Sequence, residues 1–361
     1  MELAGENVLF FTRTMHLGGT ENVILQLCEV IKPLVNKIVV CSCGGVNTEK
    51  LTEMGIRHYE IIDISEKKFF TVFKNLRRIK LIIKNEEISV VHSHHRMAVL
   101  YARLLCGTKI TRIANAHSIF YDKKRMTKIA YAGSAVIAVG EQVKRNLLEY
   151  FGLSESQVAV IHNAAKPFDG QSRTIAELDK ARKEGYTLVG SIGRLSVEKG
   201  MEYFIQAAAK VIEQCPNVKF YIVGEGENAG KLEAMATKLL PEGALIFMGY
   251  RSDIQNVMRQ LDFLVLSSLW EGFPLTPIEA FSVGKTIVAT AVGGTVEIVK
   301  DGINGYLVEP KCVEQIAENV IQLIKHPDIR MRFEKNARQT YLEEFSFEQY
   351  ANRMIEYYQS L

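Results

Sequence analysis

The chain has 361 residues, 47% hydrophobic and 24% charged, with a formal net charge of +3. That length allows two domains with separate cores, and that composition is globular, excluding a disordered chain. No apolar run approaches the roughly 20 residues that cross a bilayer, and the start MELAGENVLFFTRTMH lacks a secretory signal's basic flank.

A cytoplasmic protein is therefore expected. The six cysteines show no metal-ligand spacing and read as small buried thiols. Charge is uneven: residues 1–165 hold 22 Lys and Arg against 15 Asp and Glu, and the remainder holds 22 against 26.

In chain order, strands are predicted at 7–11, 37–43, 58–63, 89–92, 110–116, 135–139 and 158–161. Helices lie between them, from Gly18-Gly19-Thr20 to Ile31, over 67–84, 96–106 and 141–150. Residues 167–185 read as a linker with a short helix. A second series follows, with strands at 188–192, 219–223, 244–248, 263–266, 286–290 and 305–308 and helices over 201–213, 230–240 and 312–325. The tail from 329 is helical, with a break at Phe345-Ser346. Such alternation predicts two doubly wound parallel sheets, with ligands at the carboxyl ends of the strands and substrate in a cleft between the domains.

Candidate site residues fall at strand ends. Gly18-Gly19-Thr20-Glu21 follows the first strand, but it lacks the third glycine of a dinucleotide fingerprint and any Walker lysine; it fits a plain turn equally well. His92, His94 and His95 close the fourth strand and His117 the fifth, positions suited to hydrogen bonding a polar substrate. Lys67, Lys68, Lys74, Arg77 and Arg78 lie among Phe69, Phe70 and Phe73, which reads as a solvated helix or as one resting on anionic lipid. Lys123 and Lys124 add a second basic cluster.

In the second half, Gly193 and Arg194 through Lys199 form a loop whose two cations suit a diphosphate; two solvated cations, one paired with Glu198, is the plain alternative. Gly224-Glu225-Gly226 is another strand-end turn. The stretch Trp270 to Ala280 holds Glu271 and Glu279. Thr276 reads as an N-cap with Pro277 at the first helical position, making Thr276-x-x-Glu279 a capping box that competes with any ligand role for Glu279. Glu271 fits a solvated loop or a ligand contact. No Asp-x-Asp triplet occurs, so no metal site is expected.

The ordered set GRLSVEKG, GEG, FMGYRSD, SSLWEGFPLTPIEA and AVGGTVEIVKDGINGYLVEP resembles glycosyltransferase family 4, retaining enzymes of the GT-B fold, over nearly the whole chain. The resemblance implies a first domain over 1–165 that binds the acceptor, a second over 166–345 that binds a nucleotide sugar, and a last helix over 346–361 crossing back to the first.

It further implies that Arg194 and Lys199 hold the diphosphate of a UDP-sugar, with amides of Leu275 and Thr276 at its distal phosphate. Glu279 would bond the ribose, and Glu271 with the amides after Gly272 and Phe273 the transferred sugar. Tyr250 and Arg251 would flank the base, Gly19 would approach the phosphates, and Gly193 and Gly224 line the donor. His117 would lie near the reacting carbon. A saccharide or lipid-linked acceptor, an anionic membrane surface, no nucleic acid and no cofactor or metal complete the expectation. The alternatives are a catalytically silent nucleotide-sugar-binding module of a membrane complex and a dehydrogenase, which would need the missing dinucleotide fingerprint.

Overall fold

The computed structural model describes residues 2–361 except 108, 169 and 171. The last two belong to the expected linker, so that part of it lies outside the described residues. The chain divides into two compact units, Met1–Asn163 with Tyr350–Leu361, and Ala164–Gln349.

The first unit is built on seven strands: β1 (Asn7–Phe11), β2 (Lys37–Ser42), β3 (Arg57–Glu60), β4 (Val90–Ser93), β5 (Thr111–Ala116), β6 (Ala135–Ala138) and β7 (Val158–Val160). They pair in parallel in the order β3-β2-β1-β4-β5-β6-β7. In the second unit β8 (Thr187–Ile192), β9 (Val218–Val223), β10 (Leu245–Phe247), β11 (Phe263–Leu266), β12 (Ile287–Thr290) and β13 (Gly305–Val308) form a parallel sheet ordered β10-β9-β8-β11-β12-β13. β1, β4, β11 and β12 are buried along their whole length, as strands covered by helices on both faces must be, and all but β4, which ends in His92 and Ser93, are nearly unbroken apolar runs.

The doubly wound expectation therefore holds, with ends shifted by one to three residues. Helices over Thr48–Glu53 and Ile254–Gln260 went unpredicted because they are short and largely polar. The tail runs as a helix over Pro327–Thr340, a π-helical turn over Tyr341–Phe345, an extended Ser346 and a helix over Phe347–Ser360.

Each sheet reverses its winding once, between β1 and β4 in the first unit and between β8 and β11 in the second. At such a point the flanking loops leave in opposite directions and open a crevice beyond the strand ends.

Candidate functional site

At the reversal in the second unit, the loops after β8 and β11 meet. Lys199 Nζ donates to Glu271 Oε1 at 2.6 Å, and Ser268 Oγ donates to the same oxygen at 2.7 Å. Leu269 N donates to Glu198 O at 2.8 Å and Ser267 Oγ to Lys199 O at 3.2 Å, so backbone contacts hold the two loops in register. Of the two loop cations, Lys199 makes its ion pair with Glu271, while Glu198 accepts from Ser196 Oγ at 2.6 Å. Glu271 is not a solvated carboxylate either, since only 10% of its side chain is exposed.

Arg194 lies exposed on the same loop, beside Gly193. The Gly224 turn is more than a plain reversal. Its φ is +140°, and a Cβ there would stand 2.0 Å from Gly193 O, so the β9 loop presses directly on the β8 loop, with Leu195 N donating to Glu225 O at 2.9 Å. Gly293, at φ +49°, does the same for Glu271: a Cβ would meet Glu271 O at 1.9 Å. Beyond β10, Tyr250 is exposed, with its amide 3.4 Å from Glu225 Oε1, and Arg251 makes a bidentate pair with Asp253 at 2.8 and 2.7 Å.

The helix after β11 corrects the capping assignment. It spans Leu275–Ser282 with Pro274 in the cap position, extended at φ −70°, ψ 138°. Thr276 is thus a first-turn residue, not the N-cap, and its hydroxyl lies 3.5 Å from Ile192 O at the end of β8. Pro277 fits its place because every amide in the first turn lacks an intrahelical acceptor, so a missing N–H costs nothing at the third position either. Leu275 and Thr276 are left with the first two helical amides, at the positive end of the helix dipole. Gly272 and Phe273 are buried just before it, and the Gly272 carbonyl accepts from Gly294 N at 2.8 Å.

With no capping box around Thr276, Glu279 is a partly exposed residue whose carboxyl lies deep among protein atoms. Burial pushes it up to about 7, opposed by the charge of Lys199. Lys199 therefore acts on both glutamates, by contact on Glu271 and through space on Glu279.

The first unit holds a separate polar cluster at its own reversal. His92 is buried in β4, with Nε2 2.9 Å from Asn115 Oδ1 and Nδ1 2.6 Å from Tyr358 Oη. Because an amide oxygen only accepts, His92 donates through Nε2 and receives the Tyr358 hydroxyl on Nδ1. Its expected substrate role is corrected: both nitrogens are used inside the core. His95 is partly exposed, and its Nδ1 accepts from Met97 N as cap of the helix over Arg96–Leu105. His94 and His117 face each other, Nδ1 to Nε2, at 3.1 Å, and His117 keeps partial exposure. Gly19 opens the helix over Gly19–Ile31, behind Gly18.

Lys67, Lys68, Lys74, Arg77 and Arg78 are exposed, as are Phe69, Phe70 and Phe73 at 77, 84 and 60%. Arg78 is tied down, with Nε donating to Glu60 O at 3.0 Å. Lys123, at φ +47°, precedes the helix over Lys124–Tyr131, and Lys124 lies over the Tyr150 ring at 5.1 Å.

Sequence reasoning missed Ser268, Asn115 and Tyr358, whose partners are distant in the chain or, for Ser268, set by the loop's fold. Among the described residues, no group of three or more His, Cys, Asp or Glu side chains is arranged to hold a metal ion, and no helix is long and apolar enough to cross a membrane.

Residues 173–340 match the model of glycosyl transferases group 1, and residues 17–167 that of Glycosyltransferase Family 4. An uncharacterized glycosyltransferase of Methanocaldococcus jannaschii is 26% identical over 84% of each chain. The UDP-Gal:alpha-D-GlcNAc-diphosphoundecaprenol alpha-1,3-galactosyltransferase of Escherichia coli is 23% identical over 85% of each. Among solved structures, Anabaena HepE in complex with UDP-glucose superposes with a TM-score of 0.85 at 21% identity, over 98% of this chain and 100% of that one. A glycosyltransferase from Rickettsia africae gives 0.83 at 22% identity, over 98% of each. The shared fold is GT-B, two Rossmann-like halves.

Proposed function

Because the chain belongs to the family 4 glycosyltransferases, we propose that it moves a hexosyl or N-acetylhexosaminyl unit, with retention, from a UDP-sugar to a hydroxyl of a saccharide or lipid-linked saccharide. The observation that carries this reading is the Lys199–Glu271 contact at the winding reversal, beside a free helix start and the Glu279 carboxyl. A cation and helix amides suit the diphosphate, and the two carboxylates can accept from the hydroxyls of a sugar and a ribose. The UDP-glucose held by Anabaena HepE and the diphosphoundecaprenol-linked substrate of the Escherichia coli relative support the donor and acceptor classes.

In this reading Arg194, Lys199 and the amides of Leu275 and Thr276 neutralise charge as it develops on the departing diphosphate. That is electrostatic stabilisation without a metal cofactor. Lys199 leaves Glu271 when the diphosphate arrives, and Glu271 turns to the hydroxyls of the transferred sugar with the backbone after Gly272 and Phe273. Glu279 takes the ribose, and Tyr250 and Arg251 border the base. In the first unit His117 is assigned to the transferred sugar and Gly19 to the phosphates. The acceptor hydroxyl attacks on the face the diphosphate leaves, so the glutamates do not act as the acid and nucleophile of a glycosidase. The exposed phenylalanines and basic residues of the helix over Phe69–Asn85 suit an anionic membrane surface on which a lipid-linked acceptor would be met.

Mixing the protein with a panel of UDP-sugars, in EDTA, tests the proposal through release of UDP. Release with one or a few donors is expected. No release with any donor, with or without magnesium and manganese, would sink it, and release only with the metal would remove the metal-free part.

A further inference from the structure

At the reversal of the first sheet, His94 follows the end of β4 and its amide donates to Phe11 O at 2.8 Å, fixing its backbone beside β1. The residue is 3% exposed, and its ring stacks on His92 with centroids 4.4 Å apart and on His117 at 5.4 Å. Nδ1 faces His117 Nε2 at 3.1 Å, while Nε2 is buried without a hydrogen-bond partner.

Both imidazoles are neutral near pH 7. Burial pushes His117 down to about 4 and His94 well below the ordinary value, and His95, on the same side, adds to the effect at His117. Each ring then carries one proton, and one of the two must donate across the 3.1 Å contact. If His117 Nε2–H donated, the single proton of His94 would sit on Nε2, an N–H sealed in the core with nothing to bond. If His94 Nδ1–H donates, only a bare lone pair is left on Nε2. Orphaned buried N–H groups are rarer and costlier than under-used acceptors, so the second arrangement wins.

We infer that His94 is a positioning residue that fixes His117 with its proton on Nδ1, so that His117 offers an N–H to the substrate. The inference rests on the assignment of His117 to the transferred sugar for its consequence, but not for the tautomer itself. A donor at that place recognises a sugar hydroxyl or ring oxygen as an acceptor. His92, locked by Asn115 and Tyr358, supplies the flat surface against which His94 is stacked.

The tautomer can be read directly on the full chain, without substrate, from long-range proton–nitrogen correlations of uniformly 15N-labelled protein. The His117 signals are identified by their loss in His117→Gln. A protonated Nδ1 and an unprotonated Nε2 are expected for His117; a protonated Nε2 overturns the inference.

Two variants then test the consequence. His94→Asn places an N–H near the Nδ1 position and should keep kcat/KM for the donor within about threefold, whereas His94→Gln places its amide near Nε2 and should lose about tenfold, the worth of one hydrogen bond. Equal losses, or none, in two variants of matched melting temperature would remove the positioning role. If the chain transfers no sugar at all, the proposed function fails while the spectrum still decides the tautomer.

Discussion

Lys199 and Glu271, 72 positions apart, meet at 2.6 Å where the second sheet reverses its winding. The pair is largely shielded, with side chains 19 and 10% exposed, and Glu271 Oε1 also accepts from Ser268. Both partners are assigned to the donor, so an incoming diphosphate has to break this contact. Under the proposed assignment, the ion pair therefore competes with the donor for Lys199.

That competition separates binding from turnover. Glu271→Gln removes the rival charge, so UDP should bind more tightly than to the parent, measurable by calorimetry, while kcat falls by roughly 10²-fold as the sugar contact is lost. Weaker UDP binding in Glu271→Gln would mean that the carboxylate serves the donor only by orienting Lys199. Lys199→Ala should lose roughly 10²–10³-fold in turnover. Arg194→Ala should likewise cut turnover. Near-normal rates in both lysine and arginine variants would remove the diphosphate assignment.

Glu279 makes a prediction about pH. Its folded-state carboxyl is raised by burial from the ordinary 4.5 to about 7, against the pull of Lys199. Between those values the folded chain holds a proton that the unfolded chain has released, so this group's contribution to stability is lost as pH rises across the window. Glu279→Gln should flatten that slope in chemical denaturation between about pH 4.5 and pH 7. The ionised form is the better acceptor for ribose hydroxyls, so UDP affinity of the parent should rise as pH climbs through 7, and Glu279→Gln should abolish the rise.

The sheets were legible because a strand covered on both faces must be apolar throughout: β11, buried along its whole length, runs over 263–266 as read from the sequence. The loop positions of Arg194, Lys199 and Glu271 after β8 and β11, and of His94 and His117 after β4 and β5, were legible too. Pairings were not. Nothing in the spacing of Glu198 and Lys199 tells that the lysine turns to Glu271 instead, because backbone contacts of Leu269 and Ser267 aim it. The start of the helix at Leu275 was misread because Thr-Pro is compatible with several first-turn positions. His92 and His95 carry the same chemistry as His117 in sequence and differ only in which partners the fold supplies.

Tyr358 joins the last helix to β4 through the His92 ring, both residues fully buried. Tyr358→Phe keeps the ring and its packing but leaves His92 Nδ1 without its donor. A loss of about 1–2 kcal/mol is expected from urea denaturation, with an unchanged slope, since no surface is exposed by the change. An unaltered midpoint would mean that water or a rearranged His92 replaces the hydroxyl.

The helix over Phe69–Asn85 has a core face at Asn75, Ile79 and Ile82, where the Asn75 side chain bridges Ile62 N and O at 3.1 and 2.9 Å. Phe69, Phe70 and Phe73 have no part in that face and stay mostly exposed. Arg78 is bonded to Glu60 O, so removing it would perturb the unit as well as its charge. Lys67, Lys68, Lys74 and Arg77 are the residues to change. Each basic residue near an anionic surface is worth about 1 kcal/mol, so replacing all four with Gln should release the protein from phosphatidylserine-containing vesicles in a sedimentation assay. Phe69→Ser with Phe70→Ser should weaken binding even at high salt, where the charge contribution is screened. Vesicle binding that neither set of changes reduces would move the membrane surface elsewhere on the chain.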